Sequence, residues 1–534
     1  MTGRLVVVSN RIPTEAVPSG GLVVALHDAL SEQGGLWIGA HPETGDPDAP
    51  FEEIGGAPYR RLAFRLSEAD YENYYLGFAN SVLWPLSHHR VDLVEINAAY
   101  TAAYLAVNRR LARRMAAILK PDDLVWIHDY HFLPLAAELR ALGVGNRIGF
   151  FLHIPVPNIT DLEVLPHPPD YAAWLAQYDL VGLQTRTDVA RCLEIYRADP
   201  RAEFLPSCAV KFEDRVTRVQ SFPIGIDVAA FRADALSAGS KGDGMEARAN
   251  YVIGVDRLDY SKGLPNRFRA FERYLQDHGC GDRLSLVQIA PPTREAVDAY
   301  RRITADLEYI AGQVNGLYGA FDWSPIRFIH RPVPRDEIAR LLRGAKACLV
   351  TSLADGMNLV AKEFVAAQDP DGPGVLILSR FAGAAEDMTD ALLVNPYDHD
   401  AVAQAIHRAF HMSRDERLRR HAALTEVVER TDVRAWSRSF IDRLSRLEPG
   451  LLLRGRPLRE ALARFDRPSP PRALRLSTKP TWPGGYHAAV RPPHPLQSRR
   501  LRHRPRADPD AAPGLRPDRR RRADPHRAVP SEHA

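Results

Sequence analysis

Arg257 and Lys262 stand five residues apart in the stretch Asp256-Arg257-Leu258-Asp259-Tyr260-Ser261-Lys262-Gly263, directly after the apolar run Tyr251–Val255. A short loop at that spacing can bring a planar guanidinium fork and an ammonium point charge to one diphosphate. A second anion-binding element is Asp355-Gly356-Met357-Asn358, a tight turn leading into a predicted helix Leu359–Gln368. The first amides of such a helix lack intrahelical partners, and its dipole favours negative charge there. Glu363, about one turn in, puts a carboxylate where it can accept ribose hydroxyls. Arg11 and Arg294, each just past an apolar run, offer two cations to a second phosphate. His128-Asp129-Tyr130-His131 and His153-Ile154-Pro155 follow two further runs, and Gly20-Gly21-Leu22 closes the loop after the first. Singly, each has a plainer reading. Arg257 and Lys262 could be solvated charges, Asp129 a helix N-cap, His153 a core histidine, and Gly20-Gly21 a turn. Those readings explain poorly why such residues recur at one end of so many strands.

The runs themselves are Leu5–Val8, Leu124–Ile127, Ile148–Leu152 and Leu180–Leu183, then Tyr251–Val255, Leu284–Ile289, Ile326–Ile329, Ala347–Val350 and Val375–Leu378. They are nearly all apolar rather than alternating, as parallel strands covered on both faces are. Helical patterns such as Tyr100–Leu119, Leu133–Leu142 and Asn266–Gln276 lie between them. The alternation predicts an α/β protein with two doubly wound domains facing across a polar cleft, since ligands in open α/β sheets bind beyond the carboxyl ends of the strands. The boundaries read as residues 1–237, a Gly-rich polar linker at 238–250, and a second domain at 251–431. In residues 432–466, the helix Asp432–Leu447 carries Trp436, Phe440, Ile441 and Leu444 on one face, and can pack back on either domain.

Several function classes drop out. No Gly-x-Gly-x-x-Gly follows the first strand and no Gly-x-x-x-x-Gly-Lys-[Ser/Thr] occurs, which argues against NAD enzymes and P-loop NTPases. No His/Cys/carboxylate cluster has metal-ligand spacing, so neither metal nor other cofactor is expected. The four cysteines are far apart, as inert thiols in a reducing compartment are. Leu5–Val8 is too short for a signal-peptide core and reads as a buried first strand; no apolar run approaches bilayer length. The net charge of +4 conceals an asymmetry. Residues 467–534 hold sixteen Lys/Arg and five Asp/Glu, a local +11, which leaves 4 − 11 = −7 on the rest. That stretch also holds fourteen of the 42 prolines, a composition that predicts a disordered tail. With few aromatics to stack on bases, a solvated tail is the better reading than a nucleic-acid-binding one.

The strand-end residues, with Asn80-Ser81-Val82-Leu83-Trp84-Pro85, Trp126-Ile127-His128-Asp129-Tyr130-His131, Gly149-Phe150-Phe151-Leu152-His153-Ile154-Pro155 and Asp355-Gly356-Met357-Asn358-Leu359-Val360-Ala361-Lys362-Glu363, give the chain a specific resemblance from about Arg4 to Leu447. It resembles the trehalose-6-phosphate synthases, retaining glycosyltransferases of the two-Rossmann GT-B architecture. The resemblance implies transfer of glucose from a nucleoside-diphosphate glucose, UDP-glucose foremost, to glucose 6-phosphate, without a protein nucleophile. The leaving phosphate oxygen would take the acceptor proton on the same face of the sugar. It implies that Arg11, Tyr75, Trp84, Asp129 and Arg294 bind glucose 6-phosphate. It implies that Gly20, Gly21, His153, Arg257, Lys262, Val333 and the run from Asp355 through Gly356, Met357, Asn358, Leu359, Val360, Ala361 and Lys362 to Glu363 bind the donor. Arg257, Lys262, His153 and Asp129 would carry the chemistry. A homo-oligomer, a tetramer, is implied by the resemblance alone; a cytoplasmic location is expected, with no membrane or nucleic-acid partner. Ala354 stands where many relatives have Arg, and Pro157–Leu165 departs from the family pattern, which leaves the donor base open. The alternatives are a sister transferase with another phosphorylated acceptor and a non-catalytic regulatory relative.

Overall fold

The computed structural model describes residues 3–13, 21–56, 58–237, 250–293 and 298–447. Gly20, Arg294, most of the predicted linker and the basic stretch from 467 lie outside them. Among the described residues sixteen strands form two sheets. The first uses β1 Leu5–Arg11, β2 Gly35–Ala40, β3 Glu52–Glu53, β4 Arg60–Phe64, β5 Leu124–His128, β6 Arg147–Phe151, β7 Leu180–Leu183, β8 Ala202–Leu205, β9 Ala209–Phe212 and β10 Arg215–Ser221. The second uses β11 Tyr251–Val255, β12 Ser285–Ile289, β13 Ile326–Ile329, β14 Ala347–Val350, β15 Val375–Ser379 and β16 Leu392–Val394.

The orders are β3-β4-β2-β1-β5-β6-β7-β10-β9-β8 and β13-β12-β11-β14-β15-β16. The second sheet is parallel throughout. The first is parallel from β4 to β10, with antiparallel edges. In each sheet the chain runs outward from a central strand, returns, and runs outward the other way. The direction reverses between β1 and β5 in one sheet and between β11 and β14 in the other, and such a switch point opens a crevice beyond the strand ends. The nine runs expected from sequence are all strands here, because strands buried on both faces must be apolar throughout. The strands that sequence reading passed over include β2, which follows Gly34 and opens on Gly35, and the group β8–β10 toward one edge. In β10, which pairs with β7 and β9, buried and half-buried residues interleave, so it lacks the uninterrupted apolar run of the central strands.

Local sequence explains the helices. The helix Leu264–His278 starts after Gly263 in the left-handed region, carries Pro265 in its first turn and stops at Gly279. Its buried Leu264, Phe268, Phe271 and Leu275 recur at helical spacing and face the second sheet. The helix Val433–Ser445 packs on the first sheet. A side chain at Gly149 would strike Phe440 and Leu444 at 2.8 Å, and one at Gly182 would strike Phe440 at 2.6 Å. Two glycines thus form the slot that receives this helix.

The lobes are stitched where the chain crosses between them. Val433 N–H donates to Ile226 O at 3.2 Å, and a side chain at Gly225 would meet Thr431 O. Lys362 is buried at this crossing. Its Nζ donates to Ile224 O at 2.7 Å and Thr431 Oγ1 at 3.2 Å, and burial lowers its pKa to about 8. Among the described residues no helix is long and apolar enough to cross a membrane.

Candidate active site

The switch point of the first lobe supplies Arg11 and Asp129. Arg11, exposed at the end of β1, donates from Nη2 to Tyr75 Oη at 3.2 Å. Tyr75 stacks on His131, with ring centres 5.9 Å apart and planes at 12°. Tyr75 belongs to a π-helix, Tyr71–Leu83, that leads into Trp84–Ser87. Its wide turns are held by side chains reaching back five residues, Asn80 Nδ2 to Tyr75 O at 2.6 Å and Ser81 Oγ to Leu76 O at 2.9 Å. π-helical segments concentrate at functional sites, and this one sets Tyr75 and Trp84 on the cleft wall. Asp129 has φ 76°, a strained conformation for a residue with a side chain. Its N–H donates to Phe151 O at 2.7 Å, and its Oδ1 accepts from His153 N at 3.3 Å. The N-cap reading of Asp129 is therefore wrong. The turn that follows has no side-chain cap, and the carboxylate ties the end of β5 to the end of β6 instead.

His153 is packed from behind. Its Nε2 lies 3.1 Å from His128 Nδ1, and Trp436 of the returning helix sits 6.0 Å from its ring centre. Burial pulls the His153 pKa down to about 3 and that of His128 well below the usual range, so both imidazoles are neutral at neutral pH. Sequence reading missed His128 and Trp436 as partners of His153. The one signal was a polar residue closing an otherwise apolar strand.

The second switch point supplies the cations. Asp259 Oδ1 accepts from Ser261 N at 2.9 Å and its Oδ2 from Tyr300 Oη at 3.0 Å, which shapes the 3₁₀ turn Tyr260–Lys262. Gly263 follows at φ 64°, and a side chain there would meet Thr351 O at 2.6 Å. Lys262 Nζ pairs with Asp355 Oδ2 at 2.6 Å, and that oxygen also accepts from Ser352 Oγ at 3.1 Å and Asn358 Nδ2 at 3.0 Å. Burial alone would raise the Asp355 pKa. The Lys262 charge and the hydrogen bonds from Lys262 and Asn358 outweigh it and hold the carboxyl below its usual range.

Asn358, at φ 75°, caps the helix Leu359–Ala367 by accepting from Ala361 N at 3.3 Å. That amide is occupied, so it is not among those the turn offers an anion, and the Ala361 methyl lies in the core. Lys362 also departs from expectation. Its side chain turns away to the interlobe crossing because a buried ammonium needs carbonyl and hydroxyl acceptors, which Ile224 and Thr431 provide. Met357 is buried, Leu359 and Val360 half-buried, and Val333 packs at the margin of the core. Gly21 opens the helix Gly21–Gln33. Partly open Glu363 is pushed by burial up to about 7, with Arg335 opposing the shift.

The two switch points meet. The Arg257 guanidinium carbon lies 5.7 Å from the Trp84 ring centre, and a side chain at Gly356 would strike His153 O at 2.1 Å. Gly356 is thus required by the close approach of one lobe's backbone to the other's. Buried His88 sits behind Trp84, its Nδ1 2.7 Å from Trp84 O, and burial lowers its pKa to about 4.

Comparison with known proteins agrees with this architecture. The pattern described as Glycosyltransferase family 20 matches residues 7–446. The trehalose-6-phosphate synthase of Citrobacter koseri is 44% identical over 462 residues, covering 84% of this chain and 96% of that one. An Escherichia coli structure described as trehalose-6-phosphate bound with UDP-2-fluoro glucose superposes with a TM-score of 0.81 at 43% identity, over 84% of this chain and 100% of that one. The UDP-forming α,α-trehalose-phosphate synthase of Burkholderia xenovorans, in complex with glucose-6-phosphate, gives 0.78 at 40% identity, over 83% and 100%. With two switch points meeting across one cleft and a family pattern spanning both lobes, the chain belongs to glycosyltransferase family 20.

Proposed function

We propose that the protein transfers glucose from UDP-glucose to glucose 6-phosphate with retention, forming α,α-trehalose 6-phosphate and UDP. The observation that carries this reading is the meeting of a cationic switch point, Arg257 with the Lys262–Asp355 pair, and an aromatic one, Trp84 with Tyr75 and Arg11, across one cleft. Relatives that match both lobes are named for this reaction, and one is in complex with glucose-6-phosphate. Arg257 and Lys262 receive the diphosphate. Arg11, with Arg294, takes the acceptor phosphate, and Trp84 and Tyr75 wall the acceptor sugar. Neutral His153 serves as a hydrogen-bonding group toward the donor sugar rather than as a charge. Asp129, turned to the His153 amide, orients rather than attacks. The bond from the glucose C1 to the diphosphate oxygen breaks, the C1 hydroxyl oxygen of the acceptor bonds to that carbon on the same face, and its proton passes to the departing phosphate oxygen. A panel of UDP-, ADP- and GDP-glucose against glucose 6-phosphate, glycerol 3-phosphate and a cyclitol phosphate, read by nucleotide release, tests it. Product should form with UDP-glucose and glucose 6-phosphate; turnover of another acceptor alone would overturn it.

The Glu363 pKa of about 7 gives a pH signature. Only the ionised carboxylate accepts both ribose hydroxyls, so the KM for donor should fall about tenfold as pH rises from 6 to 8, the worth of a charge-assisted hydrogen bond. The step should vanish in Glu363→Gln. Persistence of the step in that variant would assign it elsewhere. For folding the sign is opposite. With the pKa raised above its unfolded value, the stabilising contribution of Glu363 is full below about 4.5 and lost as pH rises through 7.

A cytoplasmic location is supported by the four unpaired cysteines. Homo-oligomeric assembly rests on family resemblance alone, and a single monomeric species in sedimentation velocity would overturn it.

A further inference from the structure

Arg90 and Tyr260 approach each other from opposite lobes. The Arg90 guanidinium carbon lies 5.5 Å from the Tyr260 ring centre. Two parallel bonds to Asp92, Nε to Oδ1 at 2.8 Å and Nη2 to Oδ2 at 2.7 Å, fix the plane of the guanidinium. Tyr300 stands 5.4 Å from the same tyrosine ring, so Tyr260 neighbours an arginine of the other lobe and an aromatic of its own. Tyr260 opens the 3₁₀ turn that Lys262 ends. Between them, Ser261 O accepts from Leu353 N at 2.7 Å, and Lys262 pairs with Asp355. Tyr260 and Lys262 thus stand two residues apart in one tight turn, so what holds one end bears on the other. Asp92 is exposed and Arg90 half-buried, and ion pairs this open to solvent add little to stability. Its geometric consequence, a guanidinium held toward an aromatic ring of the other lobe, is the larger effect.

We propose that Arg90, braced by Asp92, is a positioning residue: in the closed cleft it clamps Tyr260 and so fixes the turn that aims Lys262 at the leaving diphosphate. This rests on the diphosphate role given to Lys262. Donor binding to the second lobe alone does not need the clamp, so loss of Arg90 falls on kcat. Arg90→Met keeps the stem and removes the charge. It should lower kcat about three- to tenfold, the range of one cation–π contact, while the KM for UDP-glucose stays within twofold and the melting temperature is unchanged. Arg90→Lys should rescue only partly, since a point charge cannot keep both parallel bonds to Asp92. Arg90→Met combined with Tyr260→Leu should be no slower than the worse single variant, because both break one contact. A normal kcat in Arg90→Met, multiplying losses in the double variant, or a raised donor KM at unchanged kcat would each overturn the proposal. If Lys262→Ala is slow while Arg90→Met is normal, the clamp alone fails; if Lys262→Ala is itself normal, the diphosphate role fails with it.

Discussion

Lys262→Ala should lower kcat by a factor on the order of 10²–10³, with glucose 6-phosphate still bound. In a front-face transfer the bond to phosphate lengthens first, so negative charge on the leaving diphosphate is greater in the transition state than in the ground state. A cation aimed there acts on kcat. The pairing with Asp355 enlarges the effect. Removing the ammonium deletes a positive charge and also uncovers a carboxylate, poorly exposed to solvent, beside the diphosphate. The double variant Lys262→Ala/Asp355→Asn should therefore be faster than Lys262→Ala alone, which a loss of cation by itself does not predict. Lys262→Arg should rescue only partly, since a planar fork is larger and directed differently. Steady-state kinetics with calorimetric titration of the acceptor check this. A Lys262→Ala enzyme with near-normal kcat would return the residue to a surface charge.

Arg267→Ala should cost about 3–5 kcal/mol of stability, because it leaves a buried carboxylate without its counter-ion. Arg267 is fully buried in the helix Leu264–His278. Its Nη1 donates to Asp256 Oδ2 and Gln288 Oε1, each at 2.7 Å, and its Nε to Thr351 Oγ1 at 2.8 Å. One side chain thus joins the ends of β11, β12 and β14 beneath the switch point. Burial pushes the Asp256 pKa up even with Arg267 beside it, so an unpaired Asp256 would be more costly still to keep charged. Gly254 belongs to the same arrangement, since a side chain there would meet Arg267 Nη1 at 2.3 Å. Urea unfolding should show the loss, and Arg267→Met/Asp256→Asn should recover at least half of it. Equal stability of Arg267→Ala and the parent would contradict the account.

The sheets were legible because burial on both faces writes itself as uninterrupted apolar runs; Tyr251–Val255 and Ala347–Val350 are strands to the residue. The site was legible in part because ligand-binding residues in this architecture must follow strands. What sequence could not show is pairing at a distance. Lys262 and Asp355 were both singled out, but their ion pair spans 93 residues. The π-helix was hidden because its five-residue reach depends on where Asn80 and Ser81 direct their side chains, not on composition. Lys362 was misread because it lies in a run read as a unit, Asp355 to Glu363, whereas each residue's direction on a helix is set by rotation about the axis, and that rotation turns Lys362 to the interlobe crossing. The apolar face of the last helix was evident, but its receiving slot is made of Gly149 and Gly182, residues that leave no hydrophobic mark.

That slot has a consequence for synthesis on the ribosome. All strands of the first sheet have been made by Ser221, yet the helix that covers Gly149 and Gly182 begins at Val433. At about 5–20 residues per second, on the order of 10–40 s pass between the two. Through that interval Trp126 and Phe151 lack their neighbours Trp436 and Phe440, and the nascent lobe presents a strip of aromatic surface. The N-terminal half is thus the first to be synthesised and the last to be completed, and it needs shelter from other apolar chains for as long as the second lobe takes to emerge.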